Sequence, residues 1–312
     1  MKQWTLLTLI VGMIFTTSCT KNPITGRNQL TVMPKSTIAQ MSLDSYKQVL
    51  NDSKVVRNTA DAQMINNVGQ NIATAVEQWM IKNKYADKVK DFNWEFNLID
   101  EDVVNAWCMP GGKVAFYTGI LPYTRDETGI AVVMGHEVAH AVAQHGNERI
   151  SQGLLQQLGG IGLQVALRNK PAETQGLFMG AYGLGSQVAV MLPFSRKHET
   201  EADQMGLIFM AMAGYDPYEA PKFWERMAKS GGGGTPEFLS THPSHETRIK
   251  NLNQKFIPQA LAYYKGTPNP NPNTTPTKTS PNQKEVNVKP TQGSTNKPKN
   301  SKTKVRTKTG NN

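Results

Sequence analysis

Two histidines four positions apart, His136 and His140, lie within Gly135–His145, which reads GHEVAHAVAQH. In an α-helix four residues advance about 6 Å and about 400°, so both imidazoles project from one face, one turn apart. Two neutral imidazoles with this spacing can bind one metal ion, and zinc suits such donors. Glu137 lies beside them, placed to take a proton from zinc-bound water. The motif predicts a helical zinc site; the alternative is coincidence on an amphipathic helix.

A catalytic zinc ion needs a third protein ligand and keeps one position open. The run Ser195–Asp203 (SRKHETEAD) can supply that ligand, since Glu199 and Asp203 are four apart and share a helix face. Glu199 would bind the metal, while Asp203 orients a ligand histidine through its other ring nitrogen. Glu201 is the competing ligand, but it lies two residues on and faces away from Glu199. Taken alone, this run is typical of a solvated, charged helix start.

The remaining patterns predict a mainly helical α+β domain. Apolar residues recur at three- and four-residue steps in the first helical region, and period-two alternation marks a strand. Ser151–Leu192 is apolar and Gly-rich, and its short, interrupted runs favour two packed helices over a membrane hairpin. The predicted elements are helices within Ser36–Tyr85, a strand at Phe92–Leu98, a hairpin of Val103–Trp107 and Lys113–Tyr117, and helices at Thr128–Gln144, Glu199–Met212 and Pro217–Lys229.

Five segments together resemble a known family. The chain is similar to the HtpX, CAAX-prenyl-protease and Oma-type zinc metallopeptidases, and especially to their periplasmic BepA and LoiP-like lipoprotein branch. The resemblance rests on NPITGRNQL, NAWCMPGGKVAFYTGIL, GHEVAHAVAQH, SRKHETEAD and THPSHETRI, which follow the family's order over roughly residues 20–255. It implies a zincin-like metallopeptidase domain with a small β-sheet beside the HExxH helix. One zinc ion per chain is implied, with the ligands His136, His140 and Glu199, the general base Glu137 and the orienting residue Asp203.

The resemblance also implies two further sites. Asn105, Ala106 and Trp107 match an edge strand, where unfolded substrate adds a strand through main-chain hydrogen bonds; a plain buried strand is the alternative. His242, in the Thr-His-Pro sequence, matches a histidine that approaches zinc and suppresses activity. It is otherwise catalytic, stabilising charge in the transition state, or simply caps the next helix.

Three further residues are expected to have no part in the chemistry. We expect His198 and His245 at the surface. Cys108 could serve as a nucleophile only beside a base. Its neighbours Trp107 and Met109 instead indicate a small buried side chain.

The first residues are typical of a secretory signal. Lys2 precedes the apolar run Trp4–Phe15, and Thr16-Thr17-Ser18 leads into Cys19 as in a lipobox, with Thr16 where leucine is usual. The run is shorter than the roughly 20 residues of a spanning helix. We therefore expect a lipoprotein signal peptide (1–18), with an ordinary signal or an uncleaved anchor as alternatives. Lipidated Cys19 would anchor the protein to a membrane of the bacterial envelope, facing the periplasm.

Most of the net positive charge lies in the C-terminal residues of the chain. Of the formal charge of +10, residues Gly266–Asn312 contribute nine basic groups and one acid, a net +8. The remainder is nearly neutral, which argues against a nucleic-acid-binding face. We expect an extended lead-in (19–35), a metallopeptidase domain (36–265) and a disordered basic tail (266–312). The tail is either a solubilising spacer or a contact for anionic envelope polymers or lipid head groups.

These observations predict a zinc endopeptidase that hydrolyses unfolded or misassembled cell-envelope proteins, with Glu137 activating zinc-bound water. The alternative is a largely latent metalloprotein that acts as an assembly factor or chaperone. A repeat domain after the protease would favour that alternative, but the 34-residue helical-repeat period is not present in the sequence.

Overall fold

The computed structural model describes residues 19–168, 175, 196–229, 236–242 and 246–266. The structure is mainly helical with small sheets, which confirms the predicted α+β fold class. The strands are β1 (Cys19–Lys21), β2 (Asn28–Leu30), β3 (Val55–Val56), β4 (Glu95–Ile99), β5 (Ala106–Met109) and β6 (Lys113–Tyr117). The helices are α1 (Lys35–Asp52), α2 (Ala60–Lys82), α3 (Ala86–Val89), α4 (Leu121–Thr124), α5 (Glu127–Val142), α6 (His145–Leu167), α7 (Arg196–Met212), α8 (Glu219–Lys229), α9 (Glu237–Thr241), α10 (Glu246–Asn251) and α11 (Ile257–Leu261), with a π-helical turn at Leu252–Phe256.

One sheet lies beside the central helix. Its strand order is β3-β4-β6-β5, with β4 and β6 parallel and the other neighbours antiparallel. The turn between β5 and β6 contains Gly111 and Gly112 at φ +88° and +81°, a backbone region that glycine adopts without steric cost. The predicted hairpin is present, but its first strand is Ala106–Met109 rather than Val103–Trp107, and this strand, β5, lies at the edge of the described sheet.

Helix α5 is at the centre of the hydrophobic core. Asp126 begins it by accepting hydrogen bonds from the backbone N–H groups of Thr128 and Gly129 at 2.9 and 3.0 Å. From Gly129 to Val142 every residue is buried. This helix packs against α2 and α7, and β5 lies along it. A helix apolar around its whole circumference is buried on all sides, so its polar motif residues must be satisfied inside the protein.

The segment expected to be an extended lead-in instead packs onto the domain. Strands β1 and β2 pair antiparallel, with Cys19 opposite Leu30. Asn22 and Gln29 are buried at 0% and 2% exposure. The lead-in is therefore part of the folded unit.

Helix α6 differs from the packed pair expected over Ser151–Leu192. Leu158, Ile161 and Val165 are 56–63% exposed, and residues 169–174 and 176–195 lie outside the described part of the chain. Among the described residues, no helix has the length and apolar character needed to cross a membrane. The predicted signal peptide and nearly all of the basic tail also fall outside them.

Candidate active site

The two motif histidines converge with an acidic residue from another helix. His136 and His140 project from α5 with their Nε2 atoms 3.1 Å apart. Glu199, near the start of α7, places one carboxylate oxygen 3.4 Å from each Nε2. His242, directly after α9, places Nδ1 3.2 Å from His136 Nε2 and 3.1 Å from Glu199 Oε1. All four side chains are buried, and they form a group with the donor atoms that a metal ion needs.

Asp203 lies behind His136, in the orienting position that the helical spacing predicts. Its Oδ1 atom is 3.0 Å from His136 Nδ1 and accepts a second hydrogen bond, 2.6 Å long, from Arg248 Nη2. Arg248 also reaches Glu199, with Nη1 3.3 Å from Oε2. Its guanidinium group lies over the ring of Trp224 at 3.4 Å from the centroid. Arg248 thus holds both carboxylates, a role that sequence analysis missed because it arises only when the fold brings Arg248 in α10 to Glu199 and Asp203 in α7.

His140 is oriented by another histidine. Gln144, in a left-handed backbone conformation (φ 57°), follows the end of α5 and reverses the chain, so that α6 begins at the next residue. This turn brings His145 Nδ1 to 2.9 Å from His140 Nδ1. His145 Nε2 in turn lies 3.0 Å from Glu201 Oε2. Burial lowers the pKa of His145 to about 4, so this imidazole is neutral at pH 7.

These outer partners show that the cluster fits a cation. Asp203 accepts a hydrogen bond from the Nδ1–H of His136, and Glu201 accepts one from the Nε2–H of His145. The Nδ1 atom of His145 then accepts the hydrogen bond of the His140 Nδ1–H. Both Nε2 lone pairs are thereby turned toward each other and toward the Glu199 carboxylate, an arrangement that needs a positive charge between them. Burial lowers the pKa of His136, but hydrogen bonds to Asp203 and Glu199 outweigh it and the net shift is upward. Imidazole nitrogens with one carboxylate form a donor set that suits zinc.

Glu137 lies beside this cluster without belonging to it. Its carboxyl group accepts a hydrogen bond from the backbone N–H of Cys108 in β5. Oε1 is buried 3.3 Å from His242 Nε2 and has no hydrogen-bond partner among the described residues. Burial raises the pKa of Glu137 to about 7, against an opposing effect of His242. Such a carboxyl group can take and return a proton near neutral pH.

The edge of β5 and helix α9 meet beside the donor cluster. Trp107 belongs to β5, where its Nε1–H lies 3.3 Å from the Tyr117 hydroxyl, and Ala106 is buried. Asn105, one residue before β5, donates a side-chain hydrogen bond to Glu237 at 3.0 Å. The backbone of Phe238 in α9 donates to the carbonyl of Val104 at 3.0 Å. Helix α9 thus covers the beginning of this edge and also carries His242 to the donor cluster.

Two expectations about other side chains have different outcomes. His198 was expected at the surface, and that prediction is wrong: it is 2% exposed, with Nε2 3.0 Å from Glu148 Oε2. Cys108 was expected to be buried, but the residue is only partly buried. Desolvation of its thiol and the neighbouring Glu137 raise the pKa of Cys108, which disfavours the thiolate that a nucleophile needs. His245 lies outside the described residues.

Comparison with known proteins agrees with this geometry. Residues 67–255 match Peptidase family M48. The chain is 36% identical to the mitochondrial metalloendopeptidase OMA1 of Arabidopsis thaliana over 198 residues, covering 61% of this chain and 39% of the relative. It is 32% identical to the Schizosaccharomyces pombe protein of that name over 263 residues, covering 83% and 73%. It is 25% identical to the beta-barrel assembly-enhancing protease of Escherichia coli over 224 residues, covering 69% and 43%.

The chain therefore belongs to Peptidase family M48. Its fold and donor cluster are those of a zinc-dependent metallopeptidase, a hydrolase. It spans less than half the length of the Arabidopsis and Escherichia coli relatives.

Proposed function

We propose that this protein is a zinc endopeptidase in which His136, His140 and Glu199 hold the metal ion and Glu137 is the general base. The observation that supports this assignment best is the buried Oε1 of Glu137, which lies beside the donor cluster, 3.3 Å from His242 Nε2, and has no hydrogen-bond partner in the described part of the chain. When bound, zinc supplies Lewis-acid polarisation of a peptide carbonyl and makes a water molecule more acidic. Glu137 takes the proton of the attacking water and returns it to the leaving amine.

The proposed substrates are unfolded or misassembled proteins of the cell envelope. An extended chain added beside β5 would run past Glu137, because that carboxyl group already accepts a hydrogen bond from the β5 backbone. Unfolded polypeptide has the free main-chain groups that such pairing requires, whereas folded proteins have theirs satisfied. The signal-like residues 1–18, followed by Cys19, support an envelope lipoprotein of the BepA and LoiP-like branch.

The test combines metal content with proteolysis in the full chain. Wild type and Glu137→Gln are each expected to bind one zinc ion, since glutamine keeps the side-chain volume and spares the ligands. Casein cleavage should fall at least about 100-fold in Glu137→Gln, the lower range for loss of a general base. Glu127→Gln, an exposed change on the same helix, is the matched control and should cleave normally. Equal cleavage by wild type and Glu137→Gln would contradict the assignment.

A largely latent assembly factor is the second candidate, and the position of His242 favours it. Its ring places Nδ1 among the donors and Nε2 3.3 Å from Glu137 Oε1, so it fills the space beside the general base. A site with four protein donors has no open position for a substrate carbonyl. In this proposal, substrate or a partner must displace His242 and α9 before cleavage.

Membrane attachment has a separate test. Metabolic labelling with an alkyne fatty acid is expected to mark wild type and not Cys19→Ser, and the variant should leave the membrane fraction. Labelling of both proteins alike would contradict lipidation at Cys19. The role of the basic tail is tested by truncation at Gly266: loss of salt-sensitive envelope binding would identify it as a contact rather than a spacer.

A further inference from the structure

The loop between β1 and β2 is a hydrogen-bonded turn that presents two polar side chains to the domain. Asn22 Oδ1 accepts hydrogen bonds from the backbone N–H groups of Ile24 and Thr25, both at 3.0 Å. The Asn22 backbone closes the turn with a 2.8 Å bond to the Arg27 carbonyl. The exposed Thr25 and the half-buried Arg27 therefore reach the domain from a hydrogen-bonded backbone turn.

Arg27 joins two buried glutamates that come from different helices. Its Nη1 and Nη2 atoms donate to Glu148 Oε1 and Oε2 at 2.8 Å each. Nε and Nη2 donate to Glu201 Oε1 and Oε2 at 2.8 and 2.9 Å. Thr25 adds a 2.7 Å hydrogen bond to Glu201 Oε1. Because both Glu201 oxygens are held, its carboxylate has a defined position and plane.

Glu201 connects Arg27 to the donor cluster through His145. Its Oε2 atom is 3.0 Å from His145 Nε2, and His145 Nδ1 is 2.9 Å from His140 Nδ1. The direction of the Glu201 bond decides which nitrogen of His145 carries the proton, and so which nitrogen accepts from His140. The result is a continuous path of hydrogen bonds from Arg27 to His140.

We propose that Arg27 is a positioning residue for the metal ion, acting on His140 through Glu201 and His145. This inference rests on the proposed function, since it takes His140 as a ligand. Outer partners of ligand histidines fix ring orientation, and their loss costs about 10- to 100-fold in metal affinity. The lead-in is therefore part of the metal site as well as a connection to Cys19.

The experiment measures zinc affinity of the full chain by competition with a chromogenic chelator. Arg27→Gln is expected to weaken zinc binding about tenfold, the lower end for an outer partner because two groups intervene. Glu201→Gln, which changes the acceptor of the Arg27 hydrogen bonds, should weaken zinc binding by a similar factor. Arg27→Lys keeps one charged donor and should restore part of the affinity. Arg57→Gln, at an exposed arginine outside the network, should leave affinity unchanged.

Two further measurements separate positioning from general destabilisation. In cobalt-substituted protein, Arg27→Gln should alter the visible absorption bands, which report ligand geometry. In a His145→Asn background, adding Arg27→Gln should change zinc affinity by less than about twofold, because the path is already broken. An unchanged zinc affinity and cobalt spectrum in Arg27→Gln, with only a lower melting temperature, would overturn the inference. Failure of wild type to bind zinc would instead overturn the proposed function.

Discussion

Gly135 in α5 and Gly206 in α7 lie face to face where these two helices pack together. A Cβ atom added at Gly135 would lie 2.8 Å from the carbonyl oxygen of Gly206. One added at Gly206 would lie 2.9 Å from the backbone nitrogen of His136. Backbone atoms cannot move aside as a flexible side chain can. This glycine pair lets α7 bring Glu199 and Asp203 within reach of the α5 histidines.

Substitution of Gly206 should therefore affect both stability and metal binding. Gly206→Ala is expected to lower the free energy of unfolding by about 1–3 kcal/mol, the usual effect of overpacking. Zinc affinity should fall with it, because the two helices must separate. Gly162→Ala is the matched control: beyond its own helix backbone, nothing in the described part of the chain lies within 4 Å of its added Cβ, so helix propensity should raise stability by up to about 1 kcal/mol. Thermal unfolding and chelator competition measure both effects, and equal behaviour of the two variants would contradict the close-packing argument.

Loss of the Asp203 carboxylate should weaken the site without removing a ligand. Asp203→Asn removes the charge that accepts from His136 and Arg248, so zinc affinity is expected to fall about 10- to 100-fold. Asp52→Asn, an exposed change, serves as control. Unchanged zinc affinity in Asp203→Asn would show that Asp203 does not orient His136.

We expect His242 to inhibit proteolysis. His242→Ala removes the donor that fills the space beside Glu137, so cleavage of casein is expected to rise several-fold while zinc affinity falls modestly. Rates should be compared at saturating zinc, so that weaker binding does not mask the effect. A fall in activity with zinc still bound would instead make His242 a catalytic residue.

Stability in acid should depend on Glu148. Burial acts to raise its pKa, but hydrogen bonds from Arg27 and His198 outweigh this effect and hold the pKa well below its usual range. A lowered pKa in the folded state means that the contribution to stability is full above the unfolded value, about 4.3, and is lost as pH falls toward the folded value.

The comparison is best made with metal-free protein, so that zinc release does not contribute. Glu148→Gln should be less stable than wild type by about 1–3 kcal/mol near neutral pH. The difference should shrink as the pH is lowered below about 4. Denaturant unfolding across this range is the measurement, and a constant difference would contradict the linkage.

Local spacing predicted the parts of the site that one helix can determine. The i, i+4 rule predicted that His136 and His140 share a face, and it placed Glu199 and Asp203 together on another. It also placed Glu201 on a different face from Glu199, where the structure shows it. The partner of Glu201 was not predictable in this way, because His145 comes from a third helix, entered through the left-handed Gln144.

The surface prediction for His198 failed for a related reason. A charged run at a helix start is usually solvated, but here Arg27 and His198 surround Glu148 in the interior. The lead-in has no hydrophobic period that would indicate packing, since it is held mainly by polar contacts of Asn22, Arg27 and Gln29. Such contacts depend on tertiary neighbours and leave no pattern in the local sequence.

The donors of the site are far apart along the chain, and this spacing has a kinetic consequence. His136 and His242 are 106 positions apart, and Arg27 meets Glu201 across 174. Contacts of such separation form late, because the intervening chain must first be ordered. A molecule that is still folding would then have exposed strands but no assembled centre. A newly made copy would therefore have no complete donor cluster until its whole domain has folded.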